Sequence, residues 1–266
     1  MLDLDRLTVV LVSPRNPLNI GAAARAMASF GFSQLTVVAP YEPHWREAKS
    51  AVGAEDLLQN ARCTQSLSEA VAGCTLVLGA SSLAHRKPEQ LVVPLPTLAP
   101  LIQEKLARNG RIAIVFGPEK RGLTRDDLAL CHCLVEIPTR PRQPSMNLGQ
   151  AVAVCLYELA APRSEASLPH ENVPLPGTTA AFRNSPANLD SNSAEPAAAA
   201  DLDRLAAVIE QTLTAANYSP PIMRSANRHD LNLLLRRLAL SRRDARRILG
   251  AFRRILWRLR QQTGTD

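Results

Sequence analysis

Three short stretches hold residues whose types and spacing suit them to chemistry. In "VSPRNPLNIGAAARAM" (12–27), Asn19 can cap the helix that opens there. Gly21 permits close backbone approach, and Arg25 lies within the first turns. Such a helix start can hold a phosphate or a hydroxyl, because its first N–H groups are unpaired. It is equally compatible with an ordinary capped helix whose Arg25 is solvated. In "VFGPEKRGLTRDDLALC" (115–131), Glu119, Lys120 and Arg121 are pinned between Pro118 and Gly122 just past an apolar run that ends at Phe116-Gly117. In "PTRPRQPSMNLGQAVAV" (138–154), three prolines and two arginines, Arg140 and Arg142, lead through Ser145, Met146 and Asn147 into a small-residue helix. The prolines fix φ and remove backbone donors. The N–H groups that begin the next helix remain available, so this loop is suited to wrap a small ligand with main-chain groups while the two arginines face a phosphate.

The elements that must position these loops are legible as an alternation. "LTVVLV" (7–12), "LTVVAP" (35–40), "TLVLGAS" (75–81), "RIAIVFG" (111–117) and "CLVEIP" (133–138) are short apolar runs rich in β-branched residues, as strands buried on both faces require. Helix patterns separate them: "NIGAAARAMASFGF" closes on Gly31, "SLSEAVAGC" opens with Ser66-x-x-Glu69, and "TRDDLALC" opens with Thr124-x-x-Asp127. This order predicts an α/β fold, an open parallel sheet with helices on both faces. Ligands in such folds sit at the carboxyl ends of the strands, where all three loops lie.

Composition narrows the field. There is no G-x-G-x-x-G after the first strand, no GK[ST] P-loop, no H-E-x-x-H and no C-x-x-C, so dinucleotide, NTPase, zincin and thioredoxin chemistries lack their motifs. Five cysteines fit no disulfide framework, and Cys131-His132-Cys133 reads as reduced thiols rather than a metal site. No apolar run is long enough for a bilayer, and the acidic start "MLDLDRLTVVLV" is not that of a signal peptide; the expectation is a cytoplasmic protein without a membrane partner. Domain 1–161 is followed by residues 162–200, rich in Pro, Ala, Ser and Asn and without an apolar period, which read as a flexible linker. Residues 201–266 read as a basic helical extension. Residues 222–260 hold twelve arginines, two aspartates and no lysine, a net of +10 in a chain of +7, so all the net basicity sits there. Arginine without lysine favours phosphate recognition over mere solubility. In the last helix Ala245, Ile248, Leu249, Phe252, Ile255, Leu256 and Leu259 form an apolar stripe, capped by Ser241 with Asp244. Arg246, Arg247, Arg253, Arg254, Arg258 and Arg260 fall outside it, the first four being the candidate nucleic-acid contacts.

Taken together and in order, the three loops resemble those of the SPOUT class of RNA methyltransferases. The likeness is to SpoU-like members, and among them to the branch that methylates the ribose 2′-hydroxyl of transfer RNA at nucleotide 32. It covers residues 7–161 and extends in character to the helical tail. It implies an α/β fold whose C-terminal segment is threaded into a trefoil knot, a feature no periodicity predicts, and activity as a homodimer on tRNA with S-adenosyl-L-methionine as cofactor. It places the cofactor against Ala80, Ser81, Ser82, Gly117, Ile137, Pro144, Ser145 and Met146. It gives the reaction to Arg25, supported by Asn19, Glu119, Ser145 and Asn147. A permanently protonated arginine is a poor proton acceptor, so Arg25 is expected to orient the ribose-phosphate and stabilise developing oxyanion charge. The loop "GASSLAHRKPEQ" departs from the family pattern around Arg86, which leaves that residue without an assigned RNA contact. Two other readings stay open: methylation of ribosomal RNA or another tRNA site, and a non-catalytic RNA-binding protein of the same fold.

Overall fold

A computed structural model describes residues 3–82, 88–140, 142, 145–160, 195–218 and 221–262. Seven strands form one parallel sheet: β1 (Leu7–Val12), β2 (Gln34–Val38), β3 (Arg62–Thr64), β4 (Leu76–Ala80), β5 (Leu91–Pro94), β6 (Ile112–Phe116) and β7 (Cys133–Glu136). Their order is β3-β2-β1-β6-β4-β7-β5. The five runs expected as strands are strands. The short β3 and β5 escape the pattern because each pairs along one side only, at an edge. Arg62 and Cys63 are solvent-facing, so β3 lacks the apolar run that marks a central strand.

Residues alternate between two cores, as the strand period requires. Leu7, Val9, Leu11, Ile112 and Ile114 face the larger core beneath α1 (Pro17–Ser29), α4 (Leu98–Ala107) and α6 (Leu148–Ala160). Val10, Val12, Ala113 and Val115 face the other core, with α3 (Leu67–Val71) and α5 (Arg125–Ala129); the five-residue α2 (Glu55–Gln59) lies at the margin of the first. The Thr124–Asp127 pair forms a full capping box for α5. Ser66 caps α3 through the Glu69 N–H, whereas the Glu69 carboxylate turns to the N–H of Gln65 instead of closing a box. Between α1 and α6 the contact is intimate. A Cβ added to Gly149 would lie 2.7 Å from that of Ala22.

The cysteine–histidine cluster is structural. His132 donates its N–H to the Val77 carbonyl (2.8 Å) and accepts the Val77 N–H at Nδ1 (3.1 Å). It thereby stitches the entry of β7 to β4. Burial depresses its pKa from 6.5 to about 3, and the charges of Arg236 and Lys105 add to this. Burial likewise pushes the Cys133 thiol up to about 12 and that of Cys131 higher still. Among the described residues no group of three or more His, Cys, Asp or Glu side chains is placed to hold a metal ion. No helix there is long and apolar enough to cross a membrane.

The C-terminal helices are α7 (Ala199–Ala215), α8 (Arg224–Arg237) and α9 (Arg242–Gln262). The linker expected over 162–200 ends sooner than composition indicates. Residues 195–200 are built into the structure, while 161–194 lie outside the described residues. Pro196 bridges to Ser241, Ala197 donates to the Leu240 carbonyl, and Ala199 is buried in the second core. Alanines that look featureless in sequence suit this seam because they pack without bulk. The helical unit therefore docks directly on the α/β domain. The N–H groups of Ala199 and Ala200 donate to the carbonyls of Cys74 (2.8 Å) and Ala72 (3.1 Å). The Asp203 carboxylate accepts from Ser68 of α3 and from Arg236 of α8 at 2.7 Å. The Arg236 side chain is 1% exposed.

Two expectations follow. Asp203→Ala leaves that guanidinium buried and uncompensated, and should lower the urea unfolding free energy by about 3 kcal/mol; replacing Arg236 by Met in the same chain should restore part of it. An unchanged midpoint in Asp203→Ala would refute the docking role. Native His132 binds its proton only near pH 3, whereas unfolded it does so near 6.5. Its contribution is therefore complete above that upper value and is lost progressively as pH falls. In His132→Asn, which keeps an acceptor for Val77, the urea midpoint should fall less steeply over this interval than in the wild type.

Candidate active site

The sheet order assembles the site. β6, β4 and β7 are neighbours, with Ala80 of β4 in register with Phe116 on one side and Val135 on the other. The residues that follow these strands, Ser81, Gly117 and Ile137, therefore emerge side by side at one carboxyl edge. Ser81 donates its N–H to the Val135 carbonyl and its hydroxyl to the carbonyl of Ser82. Ala80, Ile137 and Met146 are half-buried. This edge offers apolar surface with main-chain polar groups along it. Gly117 is required for a reason other than ligand approach. The turn after it folds back so closely that a Cβ there would stand 2.3 Å from the backbone of Gly122 and Leu123.

That fold-back aims Glu119 at the start of α1. Its carboxylate accepts the N–H groups of Arg15 (3.2 Å) and Asn16 (3.3 Å) and the Asn19 amide at 2.8 Å. Asn19 in turn accepts the Asn147 side-chain amide (2.9 Å). The Asn147 oxygen takes the N–H groups of Gly149 (2.9 Å) and Gln150 (3.4 Å). One continuous chain of hydrogen bonds thus ties the start of α1 to two segments that lie 100 and 128 residues further along the sequence. Partial burial pushes the Glu119 pKa up, but the hydrogen bonds from Asn19, its own backbone, Arg15 and Asn16 outweigh it. The carboxyl is held below its ordinary 4.5, ionised at neutral pH.

Other expected residues sit around this chain. Arg25 is exposed on the outer surface of α1 and makes no side-chain hydrogen bond or ion pair among the described residues. Ser145, Arg140 and Arg142 are exposed. The tail arginines Arg246, Arg247, Arg253 and Arg254 are exposed on α9, and the structure does not bring them into the hydrogen-bonded chain. Pro144 and Arg86 lie outside the described residues.

Two readings need correction. Asn19 does not cap α1. Asn16 does, accepting the Leu18 N–H at 3.0 Å with Pro17 in the first turn. The Asn-Pro pair carries that signal, since proline is favoured where a helix N–H would be unpaired. The N–H groups opening α6 are not all free either, because Asn147 satisfies two of them.

Residues 6–157 match the SpoU rRNA Methylase family. The chain belongs to this family. All the site residues named in the three loops fall inside the SpoU segment. A Pseudomonas aeruginosa protein named tRNA (cytidine/uridine/adenosine-2′-O-)-methyltransferase TrmJ is 45% identical over 157 residues, 59% of this chain and 61% of that protein, so the match spans about three fifths of its length. The tRNA (cytidine/uridine-2′-O-)-methyltransferase TrmJ of Pectobacterium atrosepticum is 33% identical over 258 residues, covering 95% of this chain and 96% of that one. The crystal structure of TrmJ from Z. mobilis ZM4 superposes with a TM-score of 0.76 at 28% identity, covering 93% of this chain and 98% of that one. The likeness thus extends past the SpoU segment into the helical tail.

Glu119→Ala removes the acceptor of three N–H groups and should cost about 2 kcal/mol in urea unfolding. Glu119→Gln, which keeps one oxygen in place, should cost less. Equal losses in the two variants would show that the carboxylate oxygens do not organise the loops.

Proposed function

We propose that this SpoU methylase transfers a methyl group from S-adenosyl-L-methionine to a ribose 2′-hydroxyl of tRNA, at nucleotide 32 of the anticodon loop. The observation that carries the reading is the Glu119–Asn19–Asn147 chain, which holds the three loops at one sheet edge, together with the family match. The nearly full-length likeness to proteins named tRNA (cytidine/uridine-2′-O-)-methyltransferase supports the substrate class.

The residues present suit the cofactor. Half-buried Ala80, Ile137 and Met146 would hold the flat base, with Ser81, Ser82, Gly117 and Ser145 along its polar edge; Pro144 belongs to the same loop in this reading. When bound, the cofactor supplies an electrophilic methyl group. The protein aligns the incoming hydroxyl and meets the charge it develops. That role falls to Arg25, whose guanidinium has no partner among the described residues and whose planar fork fits a ribose-phosphate. Asn19, Glu119 and Asn147 hold the surrounding loops in place, and the exposed Ser145 would support Arg25 from the third loop. Arg140 and Arg142, with Arg246, Arg247, Arg253 and Arg254 of the tail, supply phosphate contacts whose strength falls with salt.

In this reading the active form is a homodimer. Leu18 (53% exposed) and Tyr157 (59% exposed) lie on the outer surface of the α1–α6 pair that also carries Arg25. Tyr157 packs edge-on to Phe30, which fixes the apolar patch. A second copy covering it would enclose Arg25. The C-terminal part of residues 1–161 would form the trefoil knot of the family around the loop 138–147. Residues 201–266 would act as the basic tRNA-binding extension, which the described chain joins from residue 195 onward. The working compartment would be the cytoplasm.

The test is to map 2′-O-methyl positions on unmodified tRNA and ribosomal RNA treated with the protein and S-adenosylmethionine. A new mark at tRNA nucleotide 32 is expected. Arg25→Ala and Arg25→Lys should each lose about 100-fold or more in turnover, on the scale of removing one oxyanion donor. A mark only on ribosomal RNA would overturn the substrate, and near-normal turnover in Arg25→Lys would overturn the role given to the planar fork.

A further inference from the structure

Helix α9 has two sharply different faces. Ala245 and Leu256 are buried, and Ile248, Leu249 and Phe252 pack against Leu205 and Ile209 of α7. The opposite face is open and cationic. In its middle stands Trp257, 52% exposed. At 3.6 residues per turn, Gly250 and Trp257 lie nearly in line along the axis. Arg246, Arg253 and Arg260 follow one flank of that line, and Arg247, Arg254 and Arg258 the other. The guanidinium carbons of Arg254 and Arg258 are 5.9 and 6.0 Å from the Trp257 ring centroid. Nothing lies within 4 Å of where a Gly250 Cβ would project, so the line between the flanks is unobstructed. Among the described residues, Arg253, Arg254 and Arg258 have no carboxylate partner.

A large apolar ring held in water beside Arg253, Arg254 and Arg258, none with a carboxylate partner among the described residues, is explained neither by packing nor by solubility. It does fit a flat polyanion: a base has a π-face for the indole, and its flanking phosphates match the guanidinium lines. We propose that Trp257 is a stacking platform for an unpaired nucleotide of RNA, with the two arginine lines holding the phosphates on either side. This deepens the tRNA reading and rests on it. It adds that the tail grips a single-stranded part of the molecule, because bases in a duplex have their faces already covered. A lipid surface is the poorer fit, since the apolar face that would enter a membrane is already occupied by α7.

The experiment uses the full chain. Trp45 is buried, so quenching of tryptophan fluorescence by added RNA reports chiefly on Trp257. An unstructured oligoribonucleotide should quench the wild type, and Trp257→Phe should lose that quench while keeping affinity within about threefold. Trp257→Ala should weaken binding of the oligoribonucleotide and of tRNA by roughly 5- to 150-fold, the range for loss of one stacked base, and leave binding of a perfect RNA duplex unchanged. Equal affinity of Trp257→Ala and wild type for the oligoribonucleotide would overturn the proposal. So would an equal loss on the duplex, or quenching by phosphatidylserine vesicles without quenching by RNA. If quench and loss occur but no tRNA is methylated, the substrate reading fails and the platform stands. If tRNA is methylated with unchanged KM in Trp257→Ala, only the platform fails.

Discussion

The site depends on one ionised carboxylate. Glu119 gathers two backbone N–H groups and one side-chain amide from the opening of α1, and through Asn19 it reaches the loop that opens α6. Each bond is modest by itself. Their joint effect is to fix three otherwise independent loops in a single arrangement, and pre-ordered loops lose less entropy when a ligand arrives. The carboxylate can serve only because α1 and α6 approach closely enough for the Asn19–Asn147 bond. Gly149 against Ala22 allows that approach.

Close approach also explains Gly117. Its missing Cβ lets the turn from 118 to 122 fold back over the end of β6, which carries Glu119 toward Asn19. Glycines near ligand sites invite the inference that a ligand needs the space. Here it is the protein's own backbone that needs it. Any cofactor edge at β4, β6 and β7 is then a consequence of sheet order plus this turn.

Docking of the helical tail follows a different physics. Charge matters at the seam with the α/β domain, where the buried Arg236 meets a half-buried Asp203, and Ser68 ties Asp203 to α3. On the far side of α9, Arg253, Arg254 and Arg258 stay solvated and without a carboxylate among the described residues. One helical unit thus separates a structural arginine from a row of others by burial alone, which no count of residues distinguishes.

The central strands, the alternation with helices, the three loops and the basic last helix were all readable in the chain, because period and composition report directly on local burial. The likeness of the three loops to SpoU methyltransferases was readable for a second reason: it rests on particular side chains at particular loop positions, which a sequence displays directly. Tertiary structure alone decided the rest. Edge strand β3 lacks an apolar run, and the three apolar residues of β5 before Pro94 are too few to set it apart from a loop. The alanines around 197–199 look like linker until a second surface is there to cover them. That Glu119, Asn19 and Asn147 bond in sequence, while Arg25 stays exposed and outside that chain of bonds, is a fact of three-dimensional approach between segments distant in the chain. Local sequence carries the propensity of each segment, but a hydrogen bond between distant segments exists only once the packing of the sheet and its helices has set the distance.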